Sequence, residues 1–417
     1  MVYVGIMGHG TVGSGVVEVL QKNRDSIARK AGDEICVKRI LDLRDFPELP
    51  YRDLFTKDAE DILGDREISI VVEVMGGIEP AYAFTKRALL EGKHVVTSNK
   101  ELVAQHGSEL LKIARDRNVN YLFEASVGGG IPIIRPLKQC LAGNNISEIS
   151  GILNGTTNYI LSEMKNKGKD FDEALRDAQA KGYAERNPSA DIEGQDSQRK
   201  IAILASIAFG SRIAFNKIYT EGITSITKED MLFAEESGCT IRLVAAAKRE
   251  DAGIWAGVFP VMLRSTNPLA DVEDVFNAIL VKGDAIGDVM FYGRGAGKLP
   301  TASAVVGDVI DAAKHLDGMI NDIPEDGQAV GILDIGMMQS IFYIRLKVKN
   351  AGYFEEEARE LMPDSRILIP EHPALEGQAA VILGPIQESS LGRRINDLLT
   401  LPSVEKVLNT IRVRDSE

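Results

Sequence analysis

The chain has 417 residues, 44% of them hydrophobic, with a formal charge of −13 and a pI near 5.1. That length exceeds what one hydrophobic core usually organises, so two or three domains are expected, and the acidic balance argues against nucleic acid or an anionic membrane surface as a partner. Cys36, Cys140, Cys239 and the five histidines are scattered without metal-ligand spacing, which leaves carboxylates, lysines or a bound cofactor to carry any chemistry. The amino terminus lacks the basic and apolar regions of a signal peptide, and no apolar run approaches the roughly 18 residues of a membrane span. A soluble, cytoplasmic protein acting on a small molecule is the expectation.

In chain order, the β-branched run Val2 to Ile6 leads into glycines 8, 10 and 13 of a G-x-G-x-x-G turn, and helical periodicity follows through Val16, Val17 and Leu20. Strand, glycine turn and helix in that order predict a dinucleotide site whose pyrophosphate meets the helix N-terminus. Further strands are read at Ile35–Leu41, Ile68–Val74, His94–Thr97 and Asn120–Phe123, with helical spacing between them. That alternation predicts a doubly wound parallel sheet of Rossmann type, in which ligands meet the loops beyond the strand ends. The loops "VMGG" and "TSNK" therefore nominate Gly76, Ser98, Asn99 and Lys100. At the end of the second strand, Asp42 suits the ribose 2′-OH of NAD and Arg44 the 2′-phosphate of NADP, and both readings stand.

"FEASVGGGIPII" follows the last of these strands. It reads as a hinge, or as a carboxylate, Glu124, followed by exposed carbonyls that cage a hard cation. Next, "ISEISGILNGTTNYIL" predicts a strand, a polar turn and a helix whose N-terminus, Asn154 to Thr157, suits a cap or an anionic ligand. Phe171–Lys181 reads as an amphipathic helix, and "NPSADIEG" as a loop. A helix from about Asp196 puts Asp196 and Lys200 on one face. Alone, that spacing favours an ordinary surface pair contributing about 0.3–0.5 kcal/mol. A second glycine loop, "YGRGAGKLPTASA", precedes another helix and lacks the G-K-[ST] of a triphosphate loop.

Taken together and in order, "GHGTVGSGVV", "TSNK", "FEASVGGGIP", "GILNGTTNYIL", "KGYAERNPSADIEGQDSQRK" and "YGRGAGKLPTASA" resemble homoserine dehydrogenases over residues 1 to about 335. The resemblance implies reversible NAD(P)H-dependent reduction of L-aspartate-4-semialdehyde to L-homoserine, in the route to threonine, methionine and isoleucine. It implies catalytic roles for Lys200, Lys100 and Asp196, and substrate contacts for Glu185, Asp191, Gly155 and Thr156. Cofactor contacts fall on Gly8, Gly10, Thr11, Val12, Gly13, Arg44, Gly76, Ser98, Lys100 and Gly297. A monovalent cation, sodium, falls on Glu124 with backbone oxygens of Val127, Gly129 and Ile131. The resemblance departs at "AERNP", where Arg186 and Asn187 stand in place of the family's more usual Pro and Asp.

The implied organisation is a dinucleotide-binding domain at 1–135 with 306–335 packing back on it, an α+β catalytic and dimerisation domain at 136–305, and a small α+β domain at 340–417. The last resembles ACT modules, although "KNAGYF" lacks their Asp-x-Pro-Gly turn. Threonine as effector and a purely oligomerising role are both open for it, and a homodimer or higher homo-oligomer is implied. Two other functions compete: another nicotinamide-dependent semialdehyde or hydroxy-acid dehydrogenase, and a non-catalytic cofactor-binding sensor. A semialdehyde dehydrogenase acting by acyl chemistry would need an activated cysteine, and the isolated cysteines have no obvious activating neighbour.

Overall fold

The structure, a computed structural model, describes residues 1–320 and 331–414. The chain divides into two compact units, Met1–Ile146 with Ala202–Phe215 and the described part of Lys282–Val330, and Ser147–Ile201 with Asn216–Val281 and the described part of Gly331–Glu417. Of the segment 306–335, residues 321–330 lie outside the described residues, as do the last three of 340–417.

The first unit opens with β1 (Val2–Met7), α1 (Thr11–Lys22), α2 (Arg24–Ala31), β2 (Ile35–Leu41), β3 (Phe55–Thr56), α3 (Glu60–Leu63), β4 (Ile68–Glu73), α4 (Ala81–Leu90), β5 (His94–Thr97), α5 (Lys100–Asp116) and β6 (Tyr121–Leu122). The strands form one parallel sheet in the order β3-β2-β1-β4-β5-β6. Its order reverses at β1, beside the glycine turn, which is where such sheets bind ligands. Val4, Ile6, Ile70, Val72 and Val96 are buried in a core completed by Val16, Val17 and Leu20 of α1. A strand covered on both faces gains more from β-branched bulk than from alternation, which is why these strands read as continuous apolar runs.

The chain then builds most of the second unit: β7 (Ile146–Ile152), α6 (Gly155–Lys167), α7 (Phe171–Ala180), α8 (Ser189–Ile192), α9 (Gln195–Phe209, of which the residues from Ala202 belong to the first unit), β8 (Tyr219–Thr220), α10 (Lys228–Glu236), β9 (Cys239–Glu250), β10 (Gly253–Arg264) and β11 (Phe276–Gly283). It returns to the first unit through β12 (Gly287–Arg294) and α11 (Lys298–Lys314). Val305, Val306 and Val309 of α11 join the core of the parallel sheet. The remainder, β13 (Gln339–Val348), α12 (Ala351–Leu361), β14 (Arg366–Leu368), β15 (Gln378–Gln387), α13 (Leu391–Leu399) and β16 (Val404–Arg414), has the order βαββαβ.

Within the second unit the strands lie in the order β11-β7-β9-β10-β16-β13-β15-β14, with β8 also on β10. The C-terminal strands thus form the split βαβ arrangement, and β16 joins it edge to edge to β10 through the parallel register Val261↔Arg412 to Leu263↔Arg414. Pro260 interrupts an otherwise apolar β10. It falls between Val258, the last residue paired with β8, and Val261, the first paired with β16, so its missing N–H coincides with the change of neighbour.

Candidate active site

In the first unit, Gly8 turns with φ 99° and donates its N–H to Leu41 O at 2.8 Å. A Cβ on Gly13 would run into the Gly8 carbonyl, whereas the space over Gly10 is open. Gly13 therefore closes the turn. Gly15 adds a close helix contact of its own, since its Cβ would stand 2.8 Å from Lys298 O and 3.0 Å from Ala302 of α11. Gly10 is the N-cap of α1 and brings no side chain to its first amides, the condition under which a helix start accepts an anion at Thr11, Val12 and Gly13.

Asp42 and Arg44, the alternative ribose and phosphate partners, are bonded to each other. Arg44 Nε donates to Asp42 Oδ1 at 2.9 Å and Nη2 to Oδ2 at 2.8 Å, and His9 N–H reaches Oδ2 at 2.8 Å. The Arg44 guanidinium, with the backbone N–H groups of Arg44 and His9, holds the Asp42 carboxyl far below the usual carboxylate range. His9 lies edge-on to Phe46, Tyr51 and Phe55, and burial lowers its imidazole despite Asp42.

The exits of β4 and β5 are tied together by a carboxylate that the sequence reading did not single out. Glu73 is 0% exposed. It accepts Thr97 Oγ1 at 2.6 Å and Met75 N–H at 2.9 Å, while Thr97 Oγ1 accepts Asn99 N–H and Asn99 Nδ2 donates to Gly77 O. Burial pushes the Glu73 carboxyl up and these hydrogen bonds pull it back. Gly76 (φ 79°) and Ser98 stand on the tied loops. Lys100 begins α5, capped by Asn99 Oδ1 accepting Leu102 N–H at 3.1 Å.

Gly297 is the N-cap of α11. Its loop lies on the triple glycine: Gly130 N–H donates to Arg294 O at 3.1 Å, and the Gly129 backbone packs on Gly295. Glu124 Oε1 accepts the N–H groups of Ile133 and Ile134 at 2.6 and 2.8 Å, and Oε2 that of Arg135 at 2.7 Å. Asp308 of α11 accepts Glu124 N–H at 2.8 Å and Arg135 Nη2 at 2.6 Å. Burial and the neighbouring Glu124 push the Asp308 carboxyl up to about 7. Glu124 Oε2 keeps a lone pair beyond its one amide. Among the described residues, the Val127, Gly129 and Ile131 carbonyls accept none of the backbone hydrogen bonds.

In the second unit, α6 begins at Asn154, whose Oδ1 caps Thr157 N–H at 2.9 Å. The other end of the same amide donates to Asp191 Oδ1 at 2.7 Å and Asp196 Oδ2 at 2.8 Å. Lys200 Nζ donates to Asp196 Oδ2 and to Leu153 O, both at 2.7 Å. Asp196 is 2% exposed and the Lys200 side chain 12%. This is not a solvated helix pair: a lysine and a carboxylate are held in a low-dielectric setting by a backbone carbonyl and an amide.

The structure thus brings Asp191, Asp196 and Lys200 together around Asn154. Gly155 follows at the start of α6, where a Cβ would press on Val275 O, and Thr156 Oγ1 donates to Tyr183 O at 2.6 Å. The Glu185 side chain is exposed and its backbone carbonyl accepts Gln179 Nε2. The capping role of Asn154 was readable locally, but its reach to Asp191 and Asp196 had no local signal.

A model described as homoserine dehydrogenase matches residues 132–310, and one described as homoserine dehydrogenase, NAD binding domain, matches residues 8–124. A homoserine dehydrogenase of Pseudomonas aeruginosa is 38% identical across 99% of this chain and 98% of its own. The crystal structure of a homoserine dehydrogenase from Thiobacillus denitrificans superposes with a TM-score of 0.90 at 39% identity, covering 99% of this chain and 98% of that one. A hyperthermophilic archaeal homoserine dehydrogenase mutant in complex with NADPH aligns with a TM-score of 0.64 at 31% identity, covering 75% of this chain and 97% of that one. Fold, glycine turn and matches define an NAD(P)-dependent oxidoreductase. Within that class, the chain belongs to the homoserine dehydrogenase family.

Proposed function

We propose that the chain reduces L-aspartate-4-semialdehyde to L-homoserine reversibly, with Lys200 as the group that moves the proton. The observation that carries this is the Asn154–Asp196–Lys200–Leu153 constellation: an ammonium oriented by two acceptors at 2.7 Å. A nicotinamide cofactor supplies the hydride. As the aldehyde carbon is reduced its oxygen gains negative charge, which Lys200 stabilises and protonates, taking the proton back in the oxidative direction. Asp196 fixes the ammonium, and Lys100, at the exit of β5, is the second lysine of the proposed mechanism. Asp191 and Glu185 receive the substrate ammonium, and the α6 start at Gly155 and Thr156 lies beside its amino-acid end.

The glycine turn with Thr11 and Val12, together with Gly76, Ser98 and Gly297, holds the cofactor. Arg44 would reach a 2′-phosphate only by leaving Asp42, so NAD and NADP both remain substrates to be compared. The loop at Glu124 fits a monovalent cation such as sodium, because one carboxylate lone pair and the Val127, Gly129 and Ile131 carbonyls are available as hard oxygen donors. There the ion would hold the triple-glycine loop.

The domain division anticipated at 1–135 with 306–335, 136–305 and 340–417 belongs to this reading, as do a cytoplasmic role in threonine, methionine and isoleucine synthesis and a homodimer or higher homo-oligomer. The βαββαβ order of the C-terminal segment supports an ACT-like module, with threonine as the effector to test.

Oxidation of L-homoserine, followed with NAD and with NADP, with and without sodium and threonine, tests the whole. Lys200→Ala is expected to lower kcat by about 10²–10⁴ and, because it leaves Asp196 buried without its cation, to lower the melting temperature as well. Near-normal turnover in a folded variant would remove Lys200 from the mechanism.

A further inference from the structure

The C-terminal segment has no part in the chemistry just described, yet its last strand bears on the substrate cluster through contacts lying wholly within the second unit. Asp191 and Asp196 are joined by Ile192–Gln195, and this stretch sits backbone to backbone on Thr220–Ile223. Ile223 N–H donates to Ile192 O at 2.8 Å, and Gly222 packs on Ile192 and Glu193 so closely that a Cβ there would strike them. From the other side, a Cβ on Gly194 would lie 3.0 Å from Thr220 and 3.2 Å from Val258. A shift in Thr220–Ile223 therefore shifts the chain that separates the two aspartates.

That seat is gripped from β16. Glu221 N–H donates to Val258 O at 2.8 Å, and its carboxylate accepts Arg412 Nη1 at 2.8 Å. The rest of the Arg412 guanidinium forks onto Glu388, Nε to Oε1 at 2.8 Å and Nη2 to Oε2 at 2.7 Å. Its Cζ lies over the Phe259 ring, 4.3 Å from the centroid, and over that of Tyr219 at 5.0 Å. The Arg412 side chain is 11% exposed. Three residues earlier on β16, Asn409 Nδ2 donates to Ser225 O at 3.0 Å. A planar fork between two carboxylates and stacked on aromatics has one orientation, unlike a lysine in the same place.

We propose that Arg412 is a positioning residue through which the C-terminal βαββαβ segment sets the spacing of Asp191 and Asp196, so that this segment governs affinity for the amino-acid substrate while leaving the cofactor site alone. The inference rests on the substrate reading of Asp191 given above. It makes the C-terminal segment part of the substrate site whether or not any effector binds it.

Glu221→Gln and Arg412→Lys in the full chain test it, with L-homoserine and cofactor varied separately in the oxidation assay. Both variants should raise the homoserine KM by about five-fold or more, since small misplacements at a binding site are costly, leave the cofactor KM within about two-fold, and speed amide exchange at Gly194–Gln198. A general loss of stability would lower the melting temperature without that split. Glu221 is partly exposed, so its variant carries the test if Arg412→Lys does not fold. Asp191→Asn runs beside them. If it raises the homoserine KM and the other two do not, the role of Arg412 is overturned. If Asp191→Asn is itself without effect, the substrate reading fails first and the inference goes with it.

Discussion

Asn154 caps α6 with its oxygen and ties Asp191 to Asp196 with its nitrogen. Removing it leaves a helix start uncapped, at about 1 kcal/mol, and takes a donor from two carboxylates, one of them buried, at roughly 1.5–3 kcal/mol for a charged partner. Asn154→Ala should therefore lower unfolding free energy by about 2–4 kcal/mol in urea titration; a loss below about 1 kcal/mol would mean the cap alone matters. At this scale the sequence was half legible. A polar residue before a helix announces a cap, and Asp196 with Lys200 announces an i,i+4 pair. Nothing local announces that an amide 42 residues from Asp196 completes the pair, or that Glu73 binds two loops. Arg186 illustrates the opposite case, a departure in the motif that nothing in the structure explains.

Elements were more legible than their junctions. β2 and β5 both have the bounds read from the sequence; β5, buried throughout, writes its length in β-branched residues, whereas β2 is buried only towards its ends, with Lys38 and Arg39 between. The glycine turn was also legible as a turn, but the role of Gly15 depends on α11, nearly three hundred residues away in sequence.

The junction of β5 and β6 carries a pH response. His94 is buried, its Nδ1 accepts Asn120 N–H at 3.0 Å and its Nε2 faces Leu316 O at 3.3 Å, a pattern that requires the neutral ring. Burial lowers its pKa, so the unfolded chain binds the proton more readily. The stability this contributes is present above the unfolded value of about 6.5 and is lost as pH falls below it. The melting temperature should decline below about pH 6.5, and His94→Gln should flatten that limb even if it lowers the plateau. An identical acid limb in the variant would assign the decline elsewhere.

Across the second unit, the C-terminal segment is bound by buried charge as well as by backbone pairing. Asp230 of α10 is 0% exposed and accepts Asn409 Nδ2 at 2.7 Å. Arg345 of β13 lies against it, with Nε 2.8 Å from Oδ1 and Nη2 donating to Thr227 Oγ1 at 2.9 Å. Breaking such a pair from one side costs about 3–5 kcal/mol, because the other charge stays buried. Arg345→Met should therefore lower the melting temperature of the whole second unit in one transition. Calorimetry showing a separate early transition for residues beyond 339 would instead mark a detachable module. The α+β character of this segment was readable in the sequence, whereas this attachment was not, since its partners are spread over Thr227, Asp230, Arg345 and Asn409.

The pairing of β10 with β16 also bears on how the chain is made. Until residues beyond 404 have left the ribosome, β10 presents Val261 to Leu263 as an open strand edge, with apolar side chains on both faces. Such an edge is a template for pairing with a neighbouring nascent chain. Completion of the second sheet therefore waits for β16, and chaperone demand during synthesis should concentrate in the interval between the emergence of β10 and that of β16.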